Sequence, residues 1–262
     1  YDLLRRLYDH GYPIAQPLML ETDRAILGSA FAVSRRVAGS CDVRSWSKSA
    51  DSIEPFAQML ERSLADLHAI PLADLGYDPE IADLSAGEHM RLEIARWQDL
   101  YERKRRRAYP MNTLMLSWLA DNIPAHAFTK RASVIHGDVG FHNLMVEGNE
   151  ITAILDWEYS HFGDPVEDMI YMKPFIEQIY DWDRFTNLYY EAGGSIITEE
   201  DIAFYSVWPG ARNATSCVDA VSVVETALPN ELKYIVSGYV LMPYVQIDGA
   251  KAVLQRLRAT LK

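Results

Sequence analysis

The sequence predicts an α+β fold in which helices outnumber strands, and three observations carry that expectation. Residues 133–157 read as strand, polar loop, strand, turn and strand. A second, smaller β-prone group lies near the N-terminus, at residues 17–20 and 25–37. Most of the remainder, above all from Met169 onward, repeats apolar residues at helical spacing.

The first element is a helix. Leu3, Leu4, Leu7 and Tyr8 share one face, and His10-Gly11-Tyr12-Pro13 ends it. Residues 17–20 and 25–37 follow as strands, with 21–24 as the turn between them, and the polar stretch 40–51 reads as a linker or lid. A helix over 53–67, capped by Ser52, buries Ile53, Phe56, Leu60, Leu64 and Leu67. Near its end His68 reads as a packed structural histidine. Two further helices are expected over 88–109 and 111–119. The first carries a basic run at 103–107, a solvated helix face or a docking site for an anion. Met111, Leu114, Met115, Trp118 and Leu119 make an apolar stripe suited to the core.

Within the central stretch, Ser133–Ile135 is a short β-branched run, and residues 144–146 and 151–155 are apolar strands joined by Glu147-Gly148-Asn149-Glu150. Beyond it, Asp164-Pro165-x-Glu167 is a helix start: a capping carboxylate, proline at the first helical position and an acid in the first turn. Helices are then expected over 185–190, 198–217, 232–245 and 249–261, with breaks at Gly193-Gly194 and Pro229-Asn230. Glu199, Glu200 and Asp201 sit where a helix N-terminus favours negative charge. The aromatic residues of this part suit a core, and Trp208 with Arg212 and Asn213 would alternatively line a pocket.

A chain of 262 residues, half of them apolar, can bury a sizeable core. No apolar run has the length of a membrane span, and the first residues do not read as a signal peptide. Two cysteines, Cys41 and Cys217, argue against a disulfide framework and fit a reducing, cytoplasmic setting. A formal charge of −12 disfavours nucleic acid as a general partner, because phosphate backbones attract the opposite sign.

The chemistry concentrates in the loop of the central stretch. Asp138, Asn143 five positions later and Asp156 at the end of the last strand offer hard oxygen ligands suited to Mg²⁺. Of the two aspartates, Asp138 in the loop is placed to take a proton from an attacking hydroxyl. A zinc cluster of His136, Asp138 and His142 is the rival reading, with no paired histidine motif elsewhere to complete it. The spacing His-Gly-Asp-x4-Asn, followed by Leu155-Asp156-Trp157-Glu158, resembles the aminoglycoside phosphotransferase and choline kinase-like small-molecule kinases. The likeness runs from Pro13 to about Met172.

That resemblance implies a protein-kinase-like, two-lobe fold. Residues 1–39 would be the remainder of a small N-terminal lobe with its hinge. Residues 40–262 would form a large helical lobe bearing the catalytic hairpin 133–157. It also implies ATP as co-substrate, a small-molecule hydroxyl as acceptor, Asp138 as base, and Asn143 with Asp156 as holders of Mg²⁺. The backbone of Arg35 and Val37 would address the adenine edge, Met145 and Leu155 would form the apolar floor beneath it, and Asp168 and His136 would support the loop. The chain lacks a G-x-G-x-x-G loop and any lysine before Lys48, where the family carries a phosphate-covering loop and a strand lysine. Because it opens on Tyr1 inside a helix, further residues upstream are expected to supply them; the alternative is a catalytically degenerate nucleotide-binding scaffold. The scattered acids of the C-terminal part suit a less charged, partly apolar hydroxyl compound at least as well as a polycationic one.

Overall fold

The computed structural model describes residues 1–43, 50–226 and 232–260, with the side chains of 50–52 and 256–260 left aside. The chain forms two compact units, one of Tyr1–Leu84 with Ala132–Ile196, the other of Ser85–Arg131 with the chain from Ile197 onward. Among the described residues, no helix is long and apolar enough to cross a membrane.

The first unit opens with α1 (Asp2–Asp9), which buries Leu7. Strands β1 (Pro17–Glu21) and β2 (Phe31–Ser34) pair antiparallel, Leu20 opposite Ala32. The expected continuous strand over 25–37 is not formed. Arg24–Leu27 make a helical turn (α2), because the Asp23 carboxylate accepts the Ala25 N–H and Gly28 closes it at φ 83°. Both are cap signals, and they outweigh the β propensity of the isoleucine and leucine between them.

Helix α3 (Ala50–Ala69) begins three residues before the expected start, so Ser52 lies inside it rather than capping it. Its Leu60, Leu64 and Leu67 are fully buried, and the helix packs on β3 (Ser133–Ile135) and on the later helix α8 (Trp182–Glu191). Each such leucine contributes about 1.5–3 kcal/mol through removal of its surface from water. A short α4 (Pro79–Ala82) ends this part of the unit. Of the linker or lid read at 40–51, residues 44–49 fall outside the described residues and 50–51 belong to α3; the break at Pro229-Asn230 also lies outside them.

Strand β3 has the bounds read from the sequence, and it pairs antiparallel with β6 (His161–Gly163). Between them, β4 (Leu144–Glu147) and β5 (Glu150–Ile154) form the expected hairpin, with Gly148 at φ 61° in its two-residue turn. Helix α7 (Val166–Ile176) starts one residue later than the Asp164-Pro165 pair predicts, with Pro165 rather than Asp164 at the N-cap, and the Asp164 carboxylate accepts the Val166 N–H at 3.2 Å.

The second unit is helical. Its α5 (Ala86–Lys104) starts two residues before expectation, on a capping box between Ser85 and Glu88. It ends five residues early. Tyr109 precedes a proline and is held out of helical conformation, and the Tyr101 hydroxyl ties the connection by bonding the Tyr109 carbonyl at 3.2 Å. The basic run straddles the helix end and is solvent-exposed as expected, apart from the half-buried Lys104; four of its members make surface ion pairs, Arg103 with Asp99, Lys104 with Asp219, Arg105 with Glu102 and Arg107 with Glu225.

After α6 (Pro110–Asp121), the expected single helix over 198–217 is two, α9 (Glu199–Tyr205) and α10 (Trp208–Thr226). Trp208 and Arg212 are buried in this unit, so the pair belongs to the core. From α11 (Leu232–Ile235) a π-helical segment, Val236–Leu241, runs into α12 (Met242–Thr260) without the expected interruption before Gly249. Gly249, expected to open a helix, lies inside one: a Cβ on Gly210 of α10 would lie 3.0 Å from the Gly249 Cα, so the two helices cross where neither has a side chain.

Candidate active site

Every residue singled out for the chemistry lies in the first unit. The polar loop that follows β3 is held from beneath by Asp168, which α7 presents fully buried. Its Oδ2 accepts the His136 N–H and its Oδ1 the Gly137 N–H, both at 2.8 Å. His68, at the end of α3, places Nε2 3.2 Å from Asp168 Oδ2 and Nδ1 2.8 Å from the Tyr189 hydroxyl. Burial alone pushes the Asp168 carboxyl up, but the hydrogen bond and charge of His68, with the donors from His136, bring it below the ordinary carboxylate value. The loop thus rests on a buried carboxylate already committed to three donors, which fixes where Asp138 emerges.

His136 fixes the next link. It is fully buried, its Nε2 donates to the Leu155 carbonyl at 2.8 Å, and its Nδ1 accepts the Asp138 N–H at 3.1 Å. Desolvation lowers its pKa below 6.5, which matches a neutral ring with one donor and one acceptor. With both nitrogens engaged, it cannot join the zinc cluster considered from the sequence.

Asn143, buried at the end of a single 3-10 turn, donates from Nδ2 to the Asp138 carbonyl at 2.8 Å and to its Oδ2 at 3.2 Å. Its amide hydrogens are thereby spent on Asp138, and its carbonyl oxygen is the atom left to act as a hard ligand. The Leu155 N–H donates to the Asn143 main-chain carbonyl, not to the side-chain amide oxygen, at 2.8 Å, bringing the end of β5 beside the loop. Asp156 follows at φ 62°, ψ 61°, the one non-glycine residue at positive φ among the described residues. Aspartate tolerates this region better than most residues, at a cost of about 1–2 kcal/mol. The bend exposes its carboxylate, while Trp157 folds back to donate from Nε1 to the Ile154 carbonyl and packs on the His136 ring. Two hard oxygen groups, one buried and one exposed, are donors of the kind that would suit Mg²⁺.

Of the expected nucleotide-contacting residues, Met145 lies on β4 and Leu155 just past β5, both partly exposed. Arg35 and Val37 follow β2 in a segment that runs beside this hairpin. The Ala38 carbonyl accepts the Thr152 hydroxyl at 2.6 Å, and Ser40 pairs with Val146. Gly39, at φ 107°, leaves the Val146 backbone no room for a Cβ.

Tyr171 was not identified from the sequence. Its hydroxyl donates to Asp138 Oδ1, so both carboxylate oxygens of Asp138 carry a partner. The signal was available: Tyr171 stands three residues after Asp168 on a helix whose start is legible, hence on the same face. A cavity of about 630 Å³ lies elsewhere in this unit, bordered by Tyr12, Arg62, Asp66 and the hairpin turn at Asn149, and includes none of these residues.

The lowered pKa values set a pH dependence. His136 is held neutral in the fold, so between its depressed pKa and 6.5 the unfolded chain binds more protons, and stability falls as pH drops through that window. Asp168, also depressed, adds a loss below about 3.8. The thermal midpoint is expected to be highest above pH 6.5 and to decline toward pH 5, with a shallower decline in His136→Gln. A midpoint that holds constant from pH 7.5 to 5 in the wild type contradicts this.

Comparison with known proteins places the geometry in context. The sequence model of the phosphotransferase enzyme family matches residues 1–201. A solved structure from Ralstonia eutropha JMP134, provisionally described as an aminoglycoside phosphotransferase, is 21% identical with a TM-score of 0.74, covering 97% of this chain and 82% of that one. A thermostable mutant of aminoglycoside phosphotransferase APH(4)-Ia, solved with AMP-PNP and hygromycin B, is 16% identical with a TM-score of 0.60, covering 96% of this chain and 81% of that one. Acyl-CoA dehydrogenase family member 11 of Gallus gallus is 27% identical over 192 residues, 72% of this chain. The chain spans 23% of that protein's length.

Proposed function

Because this chain belongs to the phosphotransferase enzyme family and has its protein-kinase-like fold, we propose that it transfers the γ-phosphoryl group of ATP to a hydroxyl of a small molecule. The observation that carries the reading is the Asp138–Asn143 pair, held by Asp168 and His68 beside the exposed carboxylate of Asp156.

Asp138 accepts the acceptor's hydroxyl proton as the oxygen–phosphorus bond forms. The bond from the γ-phosphorus to the β–γ bridging oxygen breaks, and ADP leaves with that electron pair. Asn143 and Tyr171 orient the carboxylate, so little of its freedom is lost at the moment of reaction. Asn143 Oδ1 and the Asp156 carboxylate would hold Mg²⁺, which when bound neutralises charge on the phosphates. Met145 and Leu155 form the apolar floor for adenine, and the backbone of Arg35 and Val37 addresses its edge. On this reading residues 1–39 belong to the smaller, nucleotide-covering lobe and residues 40–262 to the larger one. The AMP-PNP held by the APH(4)-Ia structure supports ATP as donor.

The test is ³¹P NMR of ATP, Mg²⁺ and the full-length protein with a panel of alcohols. A phosphomonoester signal growing in step with ADP is the expected result. Nucleotide binding with no ester from any alcohol, or ADP accompanied only by inorganic phosphate, would count against the transferase.

A further inference from the structure

The proposed base stands against an aromatic wall. Tyr171 and Phe175 are four residues apart on α7 and share one face, their ring centroids 6.0 Å apart. Phe175 also meets Phe141 at 5.6 Å and His142 at 6.1 Å. Gly140 makes the room for this: a Cβ there would collide with the His142 ring. His142 Nε2 lies 3.6 Å from Asp138 Oδ2, and the Tyr171 hydroxyl holds Oδ1. Tyr171 and Phe175 are half-buried and the His142 side chain is 56% exposed, so the outer edge of the wall opens beside the reacting carboxylate.

Three acids on the flanking elements are committed. Glu177 pairs with Lys173 at 3.8 Å, and Glu54 binds both Tyr180 at 2.7 Å and Arg184 at 2.8 Å. Asp181 caps α8 by accepting the Arg184 N–H. A polycationic acceptor gains from carboxylates with no other partner, whereas flat aromatic faces gain from apolar surface laid on them.

We propose that Tyr171, Phe175 and His142 form the binding wall for the acceptor, and that the acceptor is an alcohol whose hydroxyl-bearing carbon carries an apolar or aromatic body. This rests on the reading of Asp138 as the base.

Saturation-transfer NMR on the full-length protein with Mg²⁺ and ADP, titrated with 4-phenyl-2-butanol, choline, glycerol and kanamycin, tests it. The aryl alcohol is expected to bind in preference to the other three, and Phe175→Ala to weaken it about tenfold, the scale of one lost ring face. His142→Ala, at an exposed position, should weaken it severalfold without altering the thermal midpoint, which keeps the test sound if Phe175→Ala folds poorly. Preference for kanamycin, choline or glycerol, absence of aryl alcohol binding, or an affinity unmoved by both substitutions overturns the proposal. Failure of the kinase reading shows separately, as loss of Mg²⁺-dependent ATP binding whatever the alcohols do.

Discussion

Asp138→Ala is expected to lower phosphoryl transfer by roughly 10²–10⁴-fold, the range a positioned general base supplies. The fold should tolerate the change. The Asp138 side chain is 18% exposed, and its removal leaves Asn143 Nδ2 still bonded to the residue's main-chain carbonyl at 2.8 Å. Loss of the Tyr171 and Asn143 bonds to the carboxylate costs up to about 1.5–3 kcal/mol each, the range for bonds to a charged group, and less where water reaches this partly exposed site. Asp138→Asn sharpens the result, because it keeps an acceptor for the Tyr171 hydroxyl while removing the basic oxygen. Initial rates, thermal midpoints and nucleotide affinities measured on both variants separate the possibilities. Rates near wild type would remove Asp138 from the mechanism, and a collapsed midpoint would make its role architectural.

Asp168→Ala has the opposite profile, a large loss of stability. The carboxylate is fully buried and serves the His136 and Gly137 N–H groups and His68. Its removal leaves two buried donors and an imidazole without their partner, in a site too enclosed for water to replace it easily. Breaking such a buried arrangement from one side costs about 3–5 kcal/mol. For a chain of this size that is a fall in thermal midpoint on the order of 10 °C. Asp168→Asn retains one acceptor oxygen and should lose less. A midpoint within about a degree of wild type in Asp168→Ala would mean that the loop does not depend on this support.

What could be read from the sequence was whatever has a local physical signature. β3 and the Asp164-Pro165 helix start were legible because β-branched runs and caps act within a few residues. The juxtaposition of Asp138 with Asn143 was legible because five residues of loop cannot separate them far. Features decided by distant partners were not. The stretch from 232 onward reads as two helices parted before Gly249, and only the close approach of Gly210 shows what a glycine does there. The 103–107 run is the solvated face it reads as, but the ion pairs of Lys104 with Asp219 and of Arg107 with Glu225 depend on partners more than a hundred residues away. Trp208 is core, as its helical spacing suggests, and the burial of Arg212 beside it could be learned only from the fold. The helical turn at Arg24–Leu27 is a different kind of miss, since Asp23 and Gly28 were both visible and β propensity was given too much weight.

The central claim is that Asn143 and Asp156 hold Mg²⁺ across a nucleotide bound next to Asp138. Calorimetric titration of the full-length protein with ATP, with and without Mg²⁺, and of Asp156→Asn, tests it most directly. ATP binding that requires Mg²⁺ in the wild type, and that loses most of its Mg²⁺ dependence in Asp156→Asn, is the predicted result. Absence of ATP binding in either condition, or a titration curve identical in Asp156→Asn, would contradict the account and favour a scaffold that has kept the fold without the chemistry.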